Sequence, residues 1–442
     1  MPRRWSLVVS GLALLVALGL ALAREGLPSF RTYAGQTEPV RLVPTLTGKP
    51  EYCLTCHLGI EEISPSHPVE TFGCVRCHGG VALALEAEAA HQGLIGGRNP
   101  SDLAVVEEGC GGEECHSGPA ESNRDHIPRT LTSLQATYAG AIAQVRYAFG
   151  AQPDLQARYA TRAIADGQVT SDSGLPALDD FTLVAEGGGP FVAAFAARCL
   201  SCHLWAEPPD GPGYQRLTGC AACHSPSNLT GSYGGDDPTV ARGESGHAER
   251  HRLTTAIPYT QCNTCHNRGN YSLVTMTFQE RGDLPTDRRA PRLQDYYQPI
   301  AQFVRCEWEL DCVDCHTSRE AMGDGDLHSR KKDVQYVQCR TCHGTLAELP
   351  RTSTLTDPDD LALRRAFLNP LVELQVGDTV VVTERGEAMW NVGLQASGKI
   401  VLIGKATGVR YDVPLVMGSL CEQKLDQQES RDCHACHAVD RP

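Results

Sequence analysis

Short helices and loops wrapped around planar prosthetic groups, with one small antiparallel β-rich insert, are the fold class that this sequence predicts. Three observations predict it. A Cys-x-x-Cys-His pattern recurs along the chain. Hydrophobic residues (41%) and aromatics (6%) are scarce for 442 residues. The clearest cluster of strand-like runs lies between residues 365 and 415.

The pattern is densest in CLTCHLGIEEISPSHPVETFGCVRCHGG, which carries Cys53, Cys56 and His57, then Cys74, Cys77 and His78. It recurs at Cys199–Cys202–His203, Cys220–Cys223–His224, Cys262–Cys265–His266, Cys312–Cys315–His316, Cys339–Cys342–His343 and Cys433–Cys436–His437. A looser ninth copy, Cys110–Cys115–His116, has four residues between its cysteines. Two cysteines two residues apart, followed by histidine, form the signature for covalent attachment of haem c. The thiols become thioethers and the histidine is the proximal iron ligand. Nine sites absorb eighteen of the 20 Cys and nine of the 16 His. A zinc or iron–sulfur reading of paired CxxC knuckles leaves the repeated histidine without a reason. A disulfide framework leaves it unexplained too.

The cofactor expectation is therefore nine covalently attached haems c, and the fold class is a multihaem cytochrome c. Each macrocycle is a large apolar plate, so burial of about 25 cal/mol per Å² compensates for the thin apolar content. The formal charge of −14 makes nucleic acid a poor partner. A redox protein with a basic docking surface fits better, and solubility alone explains the acidity equally well.

Residues 1–23, MPRRWSLVVSGLALLVALGLALA, read as a signal peptide: two arginines, an apolar run, then a small-residue cleavage site. An uncleaved anchor is the alternative. Either places the protein in the periplasm or outside the cell. Residues 24–126 form an N-terminal three-haem region, with a proline-rich lead-in up to about residue 50. Residues 127–190 form a haem-free insert, expected as two helices broken at Gly150 and Pro153, then a surface loop over 167–189. Residues 191–345 hold five sites. Residues 346–420 are the β-rich insert, with runs such as VELQVGDTVVVTERG and GKIVLIGKA. Residues 421–442 carry the last site.

Seven histidines remain for distal ligation: His67, His91, His126, His247, His251, His328 and His434. His247 and His251, four apart, share a face if helical. Two irons are left without a distal histidine. Met276, Met322, Met389 and Met417 are soft alternatives, each better read as a packing residue, and an open iron is the further option. Cys306 and Cys421 are the remaining cysteines, read as a disulfide, free thiols or an intersubunit bridge. Catalytic residues cannot be named from the sequence.

On YCLTCHLGIEEISPSHPVETFGCVRCHGG, HRLTTAIPYTQCNTCHNRG and ELDCVDCHTSREAMGDGDLHSRKKDVQYVQCRTCHG, the chain resembles exported bacterial multihaem c-type cytochromes, including the group related to octahaem cytochromes. The resemblance covers most of residues 51–437. It implies closely stacked haems forming an electron wire. It also implies that His57, His78, His116, His203, His224, His266, His316, His343 and His437 are proximal ligands, with His67, His328 and His434 distal. Some relatives act on hydroxylamine, nitrite or tetrathionate, but the CxxCK motif of pentahaem nitrite reductases is absent, and no crosslinking tyrosine is assignable among 13 Tyr. The expected function is electron transfer through nine haems, with more the character of a carrier than of an enzyme. Its expected partners are redox proteins, such as a membrane quinol-oxidising complex or an extracellular acceptor. The alternatives are an oxidoreductase acting on a small nitrogen or sulfur compound at an open haem, and a subunit of a conductive filament or other homo-oligomer.

Overall fold

The structure is a computed structural model that describes residues 11–20, 38–167, 169–184, 186–200, 202–207, 216–226, 233–241, 251–262, 264–265, 270–272, 277–279 and 309–437. Within the expected leader, residues 11–20 are helical and exposed. Among the described residues no helix is long and apolar enough to cross a membrane.

The N-terminal part is built from one-turn helices: α1 (Val69–Phe72), α2 (Val75–His78), α3 (Ala87–Ala90) and α4 (Val106–Gly109). Helices this short do not persist alone, because one or two hydrogen bonds cannot repay the ordering of a turn. Backbone ends are tied down by side chains from elsewhere. The buried Glu51 carboxylate, for example, accepts from the amides of Cys74 and Val75 at the start of α2. Gly79, at φ 67°, ends that helix.

The following region departs from expectation. Three helices replace the first predicted one: α5 (His126–Thr132), α6 (Leu134–Thr137) and α7 (Ala139–Ala148). The breaks fall at Ser133, whose hydroxyl caps α6 by accepting from the Ala136 amide, and at Tyr138, which adopts a left-handed conformation. The second predicted helix does not form. Tyr159–Ala160 (β1) and Ile164–Ala165 (β2) flank β4 (Ala177–Asp180), which pairs parallel with β1 and antiparallel with β2. The expected loop over 167–189 thus supplies a central strand, and the buried Leu178 and Phe181 join the core. Between them, β3 (Gly174–Leu175) pairs with the distant β7 (Leu327–His328). Helix α8 (Pro190–Cys199), opened by its proline, packs Val192 and Phe195 against Ile142 and Val145 of α7.

Helices α9 (Ala221–His224), α10 (Tyr259–Cys262), α11 (Cys312–Cys315), α12 (Ser318–Met322), α13 (Lys331–Val334) and α14 (Cys339–His343) follow. A short hairpin of β5 (Asn270–Ser272) and β6 (Thr277–Gln279) lies between α10 and α11.

The C-terminal sheet has the order β12-β11-β10-β9-β8 and is antiparallel throughout: β8 (Thr352–Thr354), β9 (Thr379–Val382), β10 (Ala388–Leu394), β11 (Ile400–Ile403) and β12 (Arg410–Val413). Helix α15 (Leu361–Phe367) packs on one side, with Ala362 against Val380. The other side buries Val381, Met389, Val392, Ile400 and Leu402 against Leu310, Cys315 and Cys342. The last helix, α16, spans Ser430–His437.

The fold class is therefore corrected. The chain is a mixed α/β fold with a three-stranded and a five-stranded sheet, not a multihaem cytochrome c of short helices and loops with a small β insert. The physical reason is shared burial. The large sheet does not stand beside the Cys-x-x-Cys-His segments but forms one core with two of them, α11 and α14. Short strands elsewhere pair over long sequence separations that no local pattern announces.

Candidate metal centre

Most Cys-x-x-Cys-His segments lie on a helical turn, seen in α2, α9, α11, α14 and α16. Residues three apart on a turn share a face, so both thiols of a motif point the same way and the histidine follows at the helix end.

The histidine rings come together in pairs. His57 and His91 have ring centres 6.1 Å apart, His78 and His251 6.1 Å, and His67 and His116 5.8 Å. A metal-bound imidazole nitrogen lies about 2.0–2.1 Å from its ion, so two rings across one ion place their centres roughly 6 Å apart. In each pair one ring has its Nδ1 engaged elsewhere. His57 Nδ1 donates to the Asp237 carboxylate at 2.8 Å, His251 Nδ1 donates to the Glu61 carbonyl at 2.7 Å, and His67 Nδ1 bonds the Ser64 hydroxyl at 3.0 Å. For His57 and His251, whose Nδ1 must donate, that leaves Nε2 for a ligand, which is how metal-bound histidines are oriented. Two further rings are anchored alike, His224 on the Thr254 carbonyl and His343 on that of Pro414. His316, at the end of α11, bonds the buried Glu320 carboxylate of α12 at 3.2 Å.

Burial keeps several rings neutral, the form that ligates a metal. His78 and His116 are each pushed down to about 4, mainly by burial and then by a neighbouring histidine. Burial lowers His67 and His91 as well. His57 moves the other way, because its hydrogen bond to Asp237 outweighs burial.

Two expected distal ligands are committed elsewhere. His126 lies 5.4 Å from His116, but its Nδ1 faces a guanidinium nitrogen of Arg129 at 3.0 Å. Arginine only donates, so the His126 proton sits on Nε2 and no lone pair remains there. His328 uses both nitrogens, Nε2 on Asp324 at 2.9 Å and Nδ1 toward Ser173 at 3.3 Å. His203 packs against Tyr138. His434 and His437 lie on α16. Met389 is a core residue beside Cys342, and Met417 sits near the surface. His247, His266, Met276 and Cys306 fall outside the described residues, and with Cys306 the expected bridge to Cys421.

Among the described residues, the one group of three metal-ligating side chains is Glu51, Cys53 and Cys74. A hydrogen bond from Cys74 holds the Cys53 thiol below its usual range and raises that of Cys74. This group contains no histidine.

No family model, curated protein or solved structure matches the chain. The resemblance to multihaem c-type cytochromes is corrected on these findings: the fold is mixed α/β, and the compact ligand group joins a carboxylate to two thiols. No set of nine covalent haems c is assigned, and with it go the nine-haem electron wire, the open-haem oxidoreductase and the conductive filament. Three close ligand atoms occur together once among the described residues, whereas paired imidazole rings recur.

Sequence reasoning missed the residues that orient the rings. Asp237, Ser64 and the carbonyls of Glu61, Thr254 and Pro414 carry no motif. Glu320 alone had a signal, standing four residues after His316 in the sequence.

Proposed function

We propose that the chain binds transition-metal ions, with His57 and His91, His78 and His251, and His67 and His116 each supplying a pair of imidazole ligands. The observation that carries the reading is the recurrence of ring pairs at 5.8–6.1 Å, each with one Nδ1 anchored. Two imidazoles supply only two ligands, so water completes the coordination shell. The leader-like residues 1–23 support a location outside the cytoplasm, with redox proteins as partners.

Elemental analysis of protein purified from an exporting host tests this. At least three transition-metal equivalents per chain are expected, and His91→Ala should remove or alter one. A folded chain with no bound metal overturns the reading.

A further inference from the structure

Separate from the imidazole pairs, we propose that Glu51, Cys53 and Cys74 form a binding site for one zinc-like divalent ion, with water as the fourth ligand. Their ligand atoms all lie within 4.8 Å of one another. A tetrahedral zinc, bonded at about 2.3 Å to sulfur and 2.0–2.2 Å to oxygen, holds its ligands roughly 3.5–3.8 Å apart. A small side-chain rotation closes the difference, and both thiols are free and only half-buried. Two thiols with one carboxylate suit zinc, whereas magnesium and calcium take oxygen ligands.

The three side chains are placed by contacts of their own. Glu51 exchanges backbone hydrogen bonds with Leu42 at 2.8 and 2.9 Å. Its buried carboxylate accepts on Oε2 from the amides of Cys74 at 2.7 Å and Val75 at 3.2 Å, which fixes its aim and leaves Oε1 for the ion. Cys53 opens the turn Cys53–Thr55, and Cys74 stands directly before α2. Their thiols hydrogen-bond each other across the gap between the first two motifs. Gly73 keeps the carboxylate uncovered: at φ 67°, a β-carbon there would lie 2.7 and 2.8 Å from the two Glu51 oxygens. Thiolates beside a buried carboxylate pile up negative charge, which a divalent cation compensates. Each ion bound displaces the two thiol protons to solvent.

Cobalt(II) titration of the reduced full chain, with zinc as competitor, tests the site. The readout is thiolate-to-metal absorption, which imidazole and water ligands do not give. Cys53→Ser, Cys74→Ser and Glu51→Gln should each remove the same single equivalent. Glu51→Gln keeps an oxygen for the two amides, so its loss of metal reports on the ligand rather than on the turn. It should weaken binding by more than the roughly tenfold cost of losing an outer-shell partner. Cys56→Ser and Cys77→Ser should leave that equivalent in place. If Cys56→Ser costs as much as Cys53→Ser, the ion sits within a single Cys-x-x-Cys and the proposal is overturned. It is equally overturned if Glu51→Gln binds as the parent does. His91→Ala should leave the thiolate absorption unchanged, so this site and the imidazole pairs fail independently.

Discussion

Asp237 Oδ2 lies 2.8 Å from Nδ1 of His57, across 180 residues of chain. Burial works against the Asp237 charge, but bonds from His57 and Thr239 hold its carboxyl below the usual range, and the same contact raises His57. The two shifts define a window in metal-free protein. The Asp237 contribution is present above its unfolded value of about 3.9 and is lost as pH falls through the depressed value. The His57 contribution is complete below about 6.5 and is lost as pH rises through the raised value. Asp237→Asn should flatten this part of the stability profile and lower the His57 titration midpoint seen by NMR. An unchanged midpoint would refute the pairing.

Phe181 is fully buried and meets Phe195 edge-on, with ring centres 6.2 Å apart. It fastens the end of β4 to α8 through a core that also holds Ile142 and Val145. Phe181→Ala should cost about 3–5 kcal/mol, the range for emptying a buried aromatic site. Urea denaturation would show a lower midpoint, and a loss below about 1 kcal/mol would mean that the three-stranded sheet does not depend on this core.

Gly219 sits at φ 63° immediately before Cys220, and a β-carbon there would collide with the carbonyl of Ser101. That carbonyl also accepts from the Cys220 amide at 3.1 Å, and the Ser101 hydroxyl accepts from Ala221 at 3.0 Å. Gly219→Ala therefore meets both backbone strain and a clash with a fixed group. Gly398, at φ 80°, shares the strain but has no neighbour within 4 Å of its would-be β-carbon. Gly219→Ala should accordingly lower soluble yield and thermal midpoint far more than Gly398→Ala. Equal midpoints for the two variants would show that the 101–102 and 218–221 segments are not docked as described.

The Cys-x-x-Cys-His turns and the late strands were legible because each is a local pattern: residues three apart on a helix, or apolar runs between turn residues. β1, β2 and β4 were not, because two to four residues carry no periodicity. Ala160 and Leu178 are strand residues only by pairing with Asp180 and Ile164, well away along the chain. The candidate site divides the same way. The motif histidines follow from spacing, whereas the pairing of His78 with His251 and the anchoring by Asp237 arise from tertiary approach. His126 and His328 looked like spare ligands until Arg129 and Asp324 were seen to occupy them.

Lys405 offers a test of how firmly the large sheet is joined to α11. Its backbone amide donates to Asp314 at 2.6 Å and its ammonium to the Val313 carbonyl at 2.6 Å, while Asn391 bridges the Asp314 and Ile403 carbonyls. Burial pushes Lys405 down to about 8, with Asp314 only partly opposing it. Between about 8 and its unfolded value near 10.4, the unfolded chain then binds more protons than the folded one, so this group makes stability rise with pH. The slope is at most about 1.4 kcal/mol per pH unit. Lys405→Met removes the titration, so its urea midpoints between about pH 8 and 10 should lack the upward component that the parent shows. Superimposable pH profiles would mean that Lys405 is solvated and that the junction between sheet and helix is open to water.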